Sequence, residues 1–207
     1  MKYVKRHGFF PVLPVFNMSY QSPISLHKRK SIRLSTDLHL HGKNRGASYD
    51  SKKRVFWVND PISLLYRSKH YRLVEYHFHM PREYQHHDHG YDAEIHYVFT
   101  EVDDPERDGE KRDVCGGEST SEPILVLGRM IRHESNAEQE HLAILQVEAG
   151  CRHFEYDGTL TTEDVCQVRW LVGTEALYID VDGIASVAKG GLPLQETNGR
   201  IILFNEI

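Results

Sequence analysis

The first sign of chemistry in this sequence is a set of histidines spaced to share one face of a strand. Residues 76–99 read YHFHMPREYQHHDHGYDAEIHYVF and hold six of the chain's fourteen histidines. Strand side chains alternate between faces, so residues two apart point the same way. His77 and His79 flank Phe78 and would project together while Phe78 packs behind them. If YDAEIHYVF forms a second, antiparallel strand, His96 can come opposite them on the same face. Three imidazoles from neighbouring strands suit a catalytic zinc, which takes three protein ligands and leaves the fourth position to water. The plainer alternative is three partly buried strand histidines hydrogen-bonded to neighbours. His86, His87 and His89 sit near Asp88 and Gly90, a composition that predicts an exposed turn.

Two carboxylates follow the same parity. Glu94 precedes His96 by two residues, and Glu75 precedes His77 by two. A carboxylate that accepts from the far nitrogen of a ligating imidazole fixes its tautomer and raises its donor strength. The alternative is that either glutamate is simply exposed.

The elements that must position these residues are mostly strands. Segments rich in β-branched and aromatic residues recur between turn residues: SIRLSTDLHL, RVFWVN, YRLVEYHFHM, YDAEIHYVF, PILVLGRMI, VRWLV, LYIDV and RIILFN. One helix is predicted in SNAEQEHLAILQVEA, where Ser135 and Glu138 have capping-box spacing. Leu142, Ile144, Leu145 and Val147 would give it a buried side. There is no internal repeat. The expected architecture is mainly β (α+β): a single domain over 1–207 with few peripheral helices. Residues 1–20 read as an N-terminal arm and 100–122 as a polar loop.

Composition narrows the function classes. A chain of 207 residues can bury a core without disulfides to prop it. The net charge of −5, with only the short basic run LHKRKSIR, argues against nucleic acid as the main partner. No apolar run approaches membrane-spanning length, so no membrane partner is expected. The basic and then apolar N-terminus is interrupted by two prolines and makes a poor signal peptide. Cys115, Cys151 and Cys166 form no CxxC pair, which argues against a thiolate zinc site. An odd cysteine count fits a reducing compartment, the cytoplasm, better than a disulfide framework. One bridge plus a free thiol, in a secreted or periplasmic protein, stays open.

With these residues in view, the sequence resembles the α-class carbonic anhydrases. YRLVEYHFHMPREY…YDAEIHYVF is similar to the family's HFH, Pro-x-Glu and Glu-x-His-x-Val pattern. YDGTLTT resembles its Tyr-x-Gly-Ser-Leu-Thr-Thr, and LPLQETNGRIIL its C-terminal Pro-x-Gln-x-x-Asn-Gly-Arg. QSPI, at 21–24, matches a further motif, and all of them occur in the family's order across nearly the whole chain. The resemblance implies a large twisted, mostly antiparallel sheet carrying Zn2+ on His77, His79 and His96. It implies reversible hydration of carbon dioxide to bicarbonate and a proton by attack of zinc-bound hydroxide. Thr161 would accept a hydrogen bond from that hydroxide, and Glu83 would take the threonine's own proton. Val98, Val126, Leu160 and Trp170 would line the carbon dioxide pocket, with Thr162 at its edge. All four apolar positions would equally serve as core.

The sequence also departs from the family pattern. Glu163 and Asp164 replace the two prolines that usually follow Thr-Thr, and the stretch to Trp170 is one residue short. The position of the usual proton-shuttle histidine falls on or near Arg54, with His39, His41 or the loop histidines as substitutes. A missing shuttle would slow turnover. Cys166 matches one half of the family's usual disulfide, whose early partner is missing. Two functions follow: a zinc carbonic anhydrase, slow for want of a shuttle histidine, or a carbonic-anhydrase-related binding module that keeps the fold without the chemistry.

Overall fold

The strand-forming segments assemble into one large sheet in a computed structural model. It describes residues 22–26, 32–34, 38–41, 46–59, 61–84, 90–103, 124–135, 152–159, 167–195, 197 and 200–205. The strands in chain order are β1 (Ile32–Leu34), β2 (Leu38–His41), β3 (Ala47–Asp50), β4 (Val55–Val58), β5 (Ser63–Tyr66) and β6 (Lys69–His79). They continue with β7 (Ala93–Val102), β8 (Ile124–His133), β9 (His153–Thr159), β10 (Gln167–Gly173), β11 (Leu177–Ile179) and β12 (Leu203–Asn205). The sheet order is β1-β12-β9-β10-β8-β7-β6-β4-β3, with β11 also on β8, β5 also on β6, and β2 on β5. The β1–β12, β10–β8 and β11–β8 pairings are parallel and the other eight antiparallel, as expected of a mostly antiparallel sheet.

One irregularity decides which face the histidines use. In the β6–β7 ladder Leu73 pairs with Phe99 and Glu75 with Val98, leaving Val74 as an extra residue, a β-bulge. Before the bulge, Tyr71 and Leu73 face one core; after it, Tyr76 and Phe78 face that same core. The extra residue reverses the parity, so Glu75, His77 and His79 emerge on the opposite face. With unbroken alternation they would have followed Tyr71 and Leu73 into the apolar layer.

Both faces of the central strands are therefore buried. Tyr76, Phe78, Ala93, Ile95, Tyr97, Phe99, Leu125 and Leu127 belong to one core. Val98, Val126, Met130, Phe154, Tyr156, Trp170 and Val172 belong to the other, on the histidine side. Sheets covered on both faces read as near-continuous apolar runs, which is why ILVL in β8 shows no alternation.

Some local expectations change. SIRLSTDLHL carries two short strands, β1 and β2, rather than one. LYIDV ends as a strand at Ile179; Asp180 then caps a single helical turn, α1 (Val181–Ile184), by accepting from the Asp182 N–H. The β5–β6 connection is a two-residue hairpin with Arg67 and Ser68 at φ 49° and 62°, the conformation of a type I′ turn. Residues 136–149 of the predicted helix, the body of the polar loop, all three cysteines, and His86, His87 and His89 lie outside the described residues.

Candidate metal centre

The register of the sheet sets the site in two adjacent rows. His77 pairs with His96, His96 with Gly128, Gly128 with Val172, and Val172 with Phe154. The neighbouring row runs Glu75, Val98, Val126, Trp170, Tyr156 across the same five strands. His79 extends the group one step further along β6, opposite Glu94. Strand alternation puts all these side chains on one face.

Metal-capable atoms of His77, His79 and His96 all lie within 4.8 Å of one another, and all three residues are buried. Each imidazole has an outward nitrogen near an oxygen. His96 Nε2 is 2.7 Å from Glu94 Oε1. His79 Nδ1 is 3.1 Å from Gly190 O and 2.9 Å from Glu83 Oε1. His77 Nδ1 is 3.2 Å from Glu75 Oε1, at an angle that makes no hydrogen bond. With these nitrogens turned outward, His77 Nε2, His79 Nε2 and His96 Nδ1 are left as lone-pair donors.

The carboxylates are pinned in turn. Glu94 is fully buried, and its Oε2 accepts from the Glu83 and Tyr84 N–H groups at 3.2 and 3.1 Å. Glu83 Oε1 accepts from the Leu192 N–H at 3.0 Å. One segment, 189–192, thus serves both His79 and Glu83. It is docked on β6 by the Lys189 N–H donating to Phe78 O at 2.7 Å and the Met80 N–H donating to Lys189 O at 2.9 Å.

Burial sets the charge states. It pushes the His77 pKa well below the ordinary imidazole value, with the Lys189 charge adding to the effect. Burial also lowers His96 to about 3, with the nearby His79 as the next cause. Neutral imidazoles keep the lone pair a metal needs. Burial raises Glu94 to about 8, against the pull of the Tyr84 N–H, so this carboxyl holds its proton at neutral pH unless a cation is nearby. Glu83 goes the other way: burial would raise it, but the His79 hydrogen bond, the nearby His96 and His79 rings and the Leu192 N–H together hold it below the ordinary value. Lys189, half-buried, is lowered by burial and partly restored by Glu75 and Glu83. Three inward donors, hydrogen-bond partners that fix the His79 and His96 tautomers, and adjoining carboxylates fit a divalent metal such as zinc.

Val98 and Val126 are Cα partners on this face, and the Trp170 ring stands 5.2 Å from the His96 ring, edge to face. Leu160, Thr161 and Thr162, with Glu163 and Asp164, lie outside the described residues. Arg54, at φ 53° in the β3–β4 turn, donates to Ala188 O at 2.9 Å and so anchors the residue before Lys189. His39 and His41 lie on β2, two strands from β6.

Several contributors escaped the sequence reading. Gly128, Gly190 and Leu192 act through an absent side chain or through backbone atoms, which leave no mark of residue type. Lys189 lies just before the motif LPLQETNGRIIL and 110 residues after His79, and only the fold brings them together.

No protein-family model matches the chain, and no curated protein does; the likeness to known proteins is one of structure. The chain is similar to an α-carbonic anhydrase from Photobacterium profundum, with a TM-score of 0.67 and 20% identity over 88% of each chain. It is also similar to the α-carbonic anhydrase of Thermovibrio ammonificans bound to the inhibitor sulfanilamide (TM-score 0.63, 18% identity, 88% of this chain and 86% of that one). Dioscorin, in a complex with ascorbate, shares the fold as well (TM-score 0.69, 18% identity, 90% of this chain and 85% of that one). The histidine-bearing sheet described here is thus the α-carbonic anhydrase fold.

Proposed function

We propose that this protein is a zinc-dependent carbonic anhydrase, with the metal held by His77, His79 and His96. The observation that carries this reading is the buried histidine group, with its ligand atoms within 4.8 Å of one another on a sheet of this fold. When bound, zinc would supply a Lewis acid that lowers the pKa of a coordinated water to about 7.

The chain's own residues do the rest. Glu94 accepts the His96 Nε2 proton and holds that ring with its other nitrogen inward. Gly190 O does the same for His79. Glu83, kept ionised, can only accept a hydrogen bond. On this reading it takes the Thr161 hydroxyl proton, so that the threonine oxygen must accept from the attacking nucleophile and orient it toward carbon dioxide. Val98, Val126 and Trp170, together with Leu160, offer the substrate an apolar surface without competing hydrogen bonds, and Thr162 contacts the bicarbonate product. The products are bicarbonate and a proton. With Arg54 tied to Ala188 O where a shuttle histidine would be looked for, turnover is expected to depend on buffer concentration.

The test is stopped-flow carbon dioxide hydration by the zinc-loaded protein, with and without a sulfonamide. Hydration that the sulfonamide inhibits and His96→Ala abolishes supports the reading. One zinc per chain with no hydration above buffer would overturn it and favour a binding module built on the same fold.

A further inference from the structure

A second constellation lies on the same face of the sheet, beyond the histidines. Arg82 follows β6 just after Pro81, Tyr91 precedes β7, and Arg132 is the penultimate residue of β8. Arg132, two residues past Met130, continues the parity of Val126 and Met130, and Tyr91 belongs to the same core as both. The guanidinium carbons of Arg82 and Arg132 stand 5.6 and 4.9 Å from the centre of the one Tyr91 ring.

Among the described residues these two cations lack counter-charges: neither forms an ion pair with a carboxylate. The adjacent carboxylate, Asp92, has Oδ2 engaged by the His133 N–H at 2.7 Å. Arg82 Nη1 and Arg132 Nε are both buried and have no hydrogen-bond partner. Two like charges drawn to one ring repel each other, and buried donors left unmade are costly. An oxyanion would resolve both problems, because the guanidinium fork matches the oxygens of a phosphate or carboxylate.

We propose that Arg82, Tyr91 and Arg132 form a binding site for a phosphate-class dianion, distinct from the histidine group. Tyr91, itself 9% exposed, is the rigid platform that orients both forks. Two cations with no carboxylate paired to them among the described residues favour a doubly charged ligand over a singly charged one.

The experiment is calorimetric titration of the intact protein with inorganic phosphate at constant ionic strength, with chloride as control. One phosphate per chain is expected, bound more tightly than chloride. Arg82→Gln and Arg132→Gln should each weaken it by about tenfold or more, the scale of a lost charge-assisted hydrogen bond. Arg82→Lys and Arg132→Lys should also weaken it, because lysine keeps the charge but not the fork. These milder variants carry the test if a glutamine variant does not fold, as judged by thermal unfolding in phosphate-free buffer. Phosphate that binds no better than chloride, or that binds the lysine variants or the double glutamine variant as tightly as the parent, overturns the proposal.

Discussion

Gly128 lies directly opposite His96 in the β7–β8 register, and a Cβ placed on it would stand 3.0 Å from Glu94 Oε1 and 3.5 Å from His96 Cδ2. Glu94 cannot swing aside freely, because two backbone N–H groups hold its other oxygen. Gly128→Ala is therefore expected to displace the Glu94–His96 pair and weaken zinc binding while leaving the strand intact. Competition with a chelator measures the affinity, and far-UV circular dichroism checks the sheet. An unchanged zinc affinity would show that the close approach has no functional role.

Glu94→Gln replaces the acceptor that fixes the His96 tautomer. Removing such a partner typically costs roughly 10–100-fold in metal affinity. Zinc titration of the variant should show a loss in that range, and a loss below twofold would mean that Glu94 does not orient His96.

Gly191 marks a second close approach: a Cβ there would sit 2.6 Å from Pro81 O, which is backbone and cannot yield. Gly190 and Leu192, on either side, hold His79 and Glu83. Gly191→Ala should shift both contacts, lowering zinc affinity and, on the proposed reaction, kcat more than KM. Retention of full hydration activity would show that the segment tolerates the displacement.

Glu155 is fully buried on β9, where it accepts from Tyr66 Oη and Arg67 Nη2, each at 2.7 Å, and lies 3.1 Å from His153 Nε2. Burial would raise its pKa, but His153, Tyr66 and Arg67 together hold it below the ordinary value. A carboxyl depressed in the folded state binds fewer protons there than in the unfolded chain. Its stabilisation is complete above the unfolded value, near 4.5, and is lost as pH falls through the folded pKa. Glu155→Gln should lower stability at pH 7 and flatten its decline below about pH 4.5. Tyr66→Phe should cost about 1.5–3 kcal/mol at pH 7, the worth of a hydrogen bond to a charged group. Urea unfolding across pH 3–7 measures both, and a parallel decline in parent and Glu155→Gln would remove Glu155 from the account.

Arg129 presents the opposite balance. It is 6% exposed, and among the described residues its Nε has no partner and Nη2 reaches only Glu175 O, at 3.5 Å. A buried charge so poorly compensated is often replaced by an apolar side chain without loss, or with a gain of 1–4 kcal/mol. Arg129→Met is expected to leave Tm unchanged or raise it; a fall of several degrees would reveal a counter-charge for Arg129.

Strand parity around Phe78 and Ile95 was sufficient to group His77, His79 and His96 and to attach Glu75 and Glu94 to them, because alternation is a local property of an extended chain. The motifs likewise pointed to the fold that the sheet adopts. The bulge at Val74 was not legible: YRLVEYHFHM is apolar on both sides of it, and only pairing with β7 reveals the extra residue. Nor could the sequence show that Val98, Val126 and Trp170 would fall in one row beside the histidines, since register is a relation between strands. The tertiary structure alone brought Lys189, Gly190 and Leu192 onto His79 and Glu83, through backbone groups whose positions depend on chain path rather than residue type. It also gathered Arg82 and Arg132 onto Tyr91, joining the ends of three strands where the sequence shows only scattered charges.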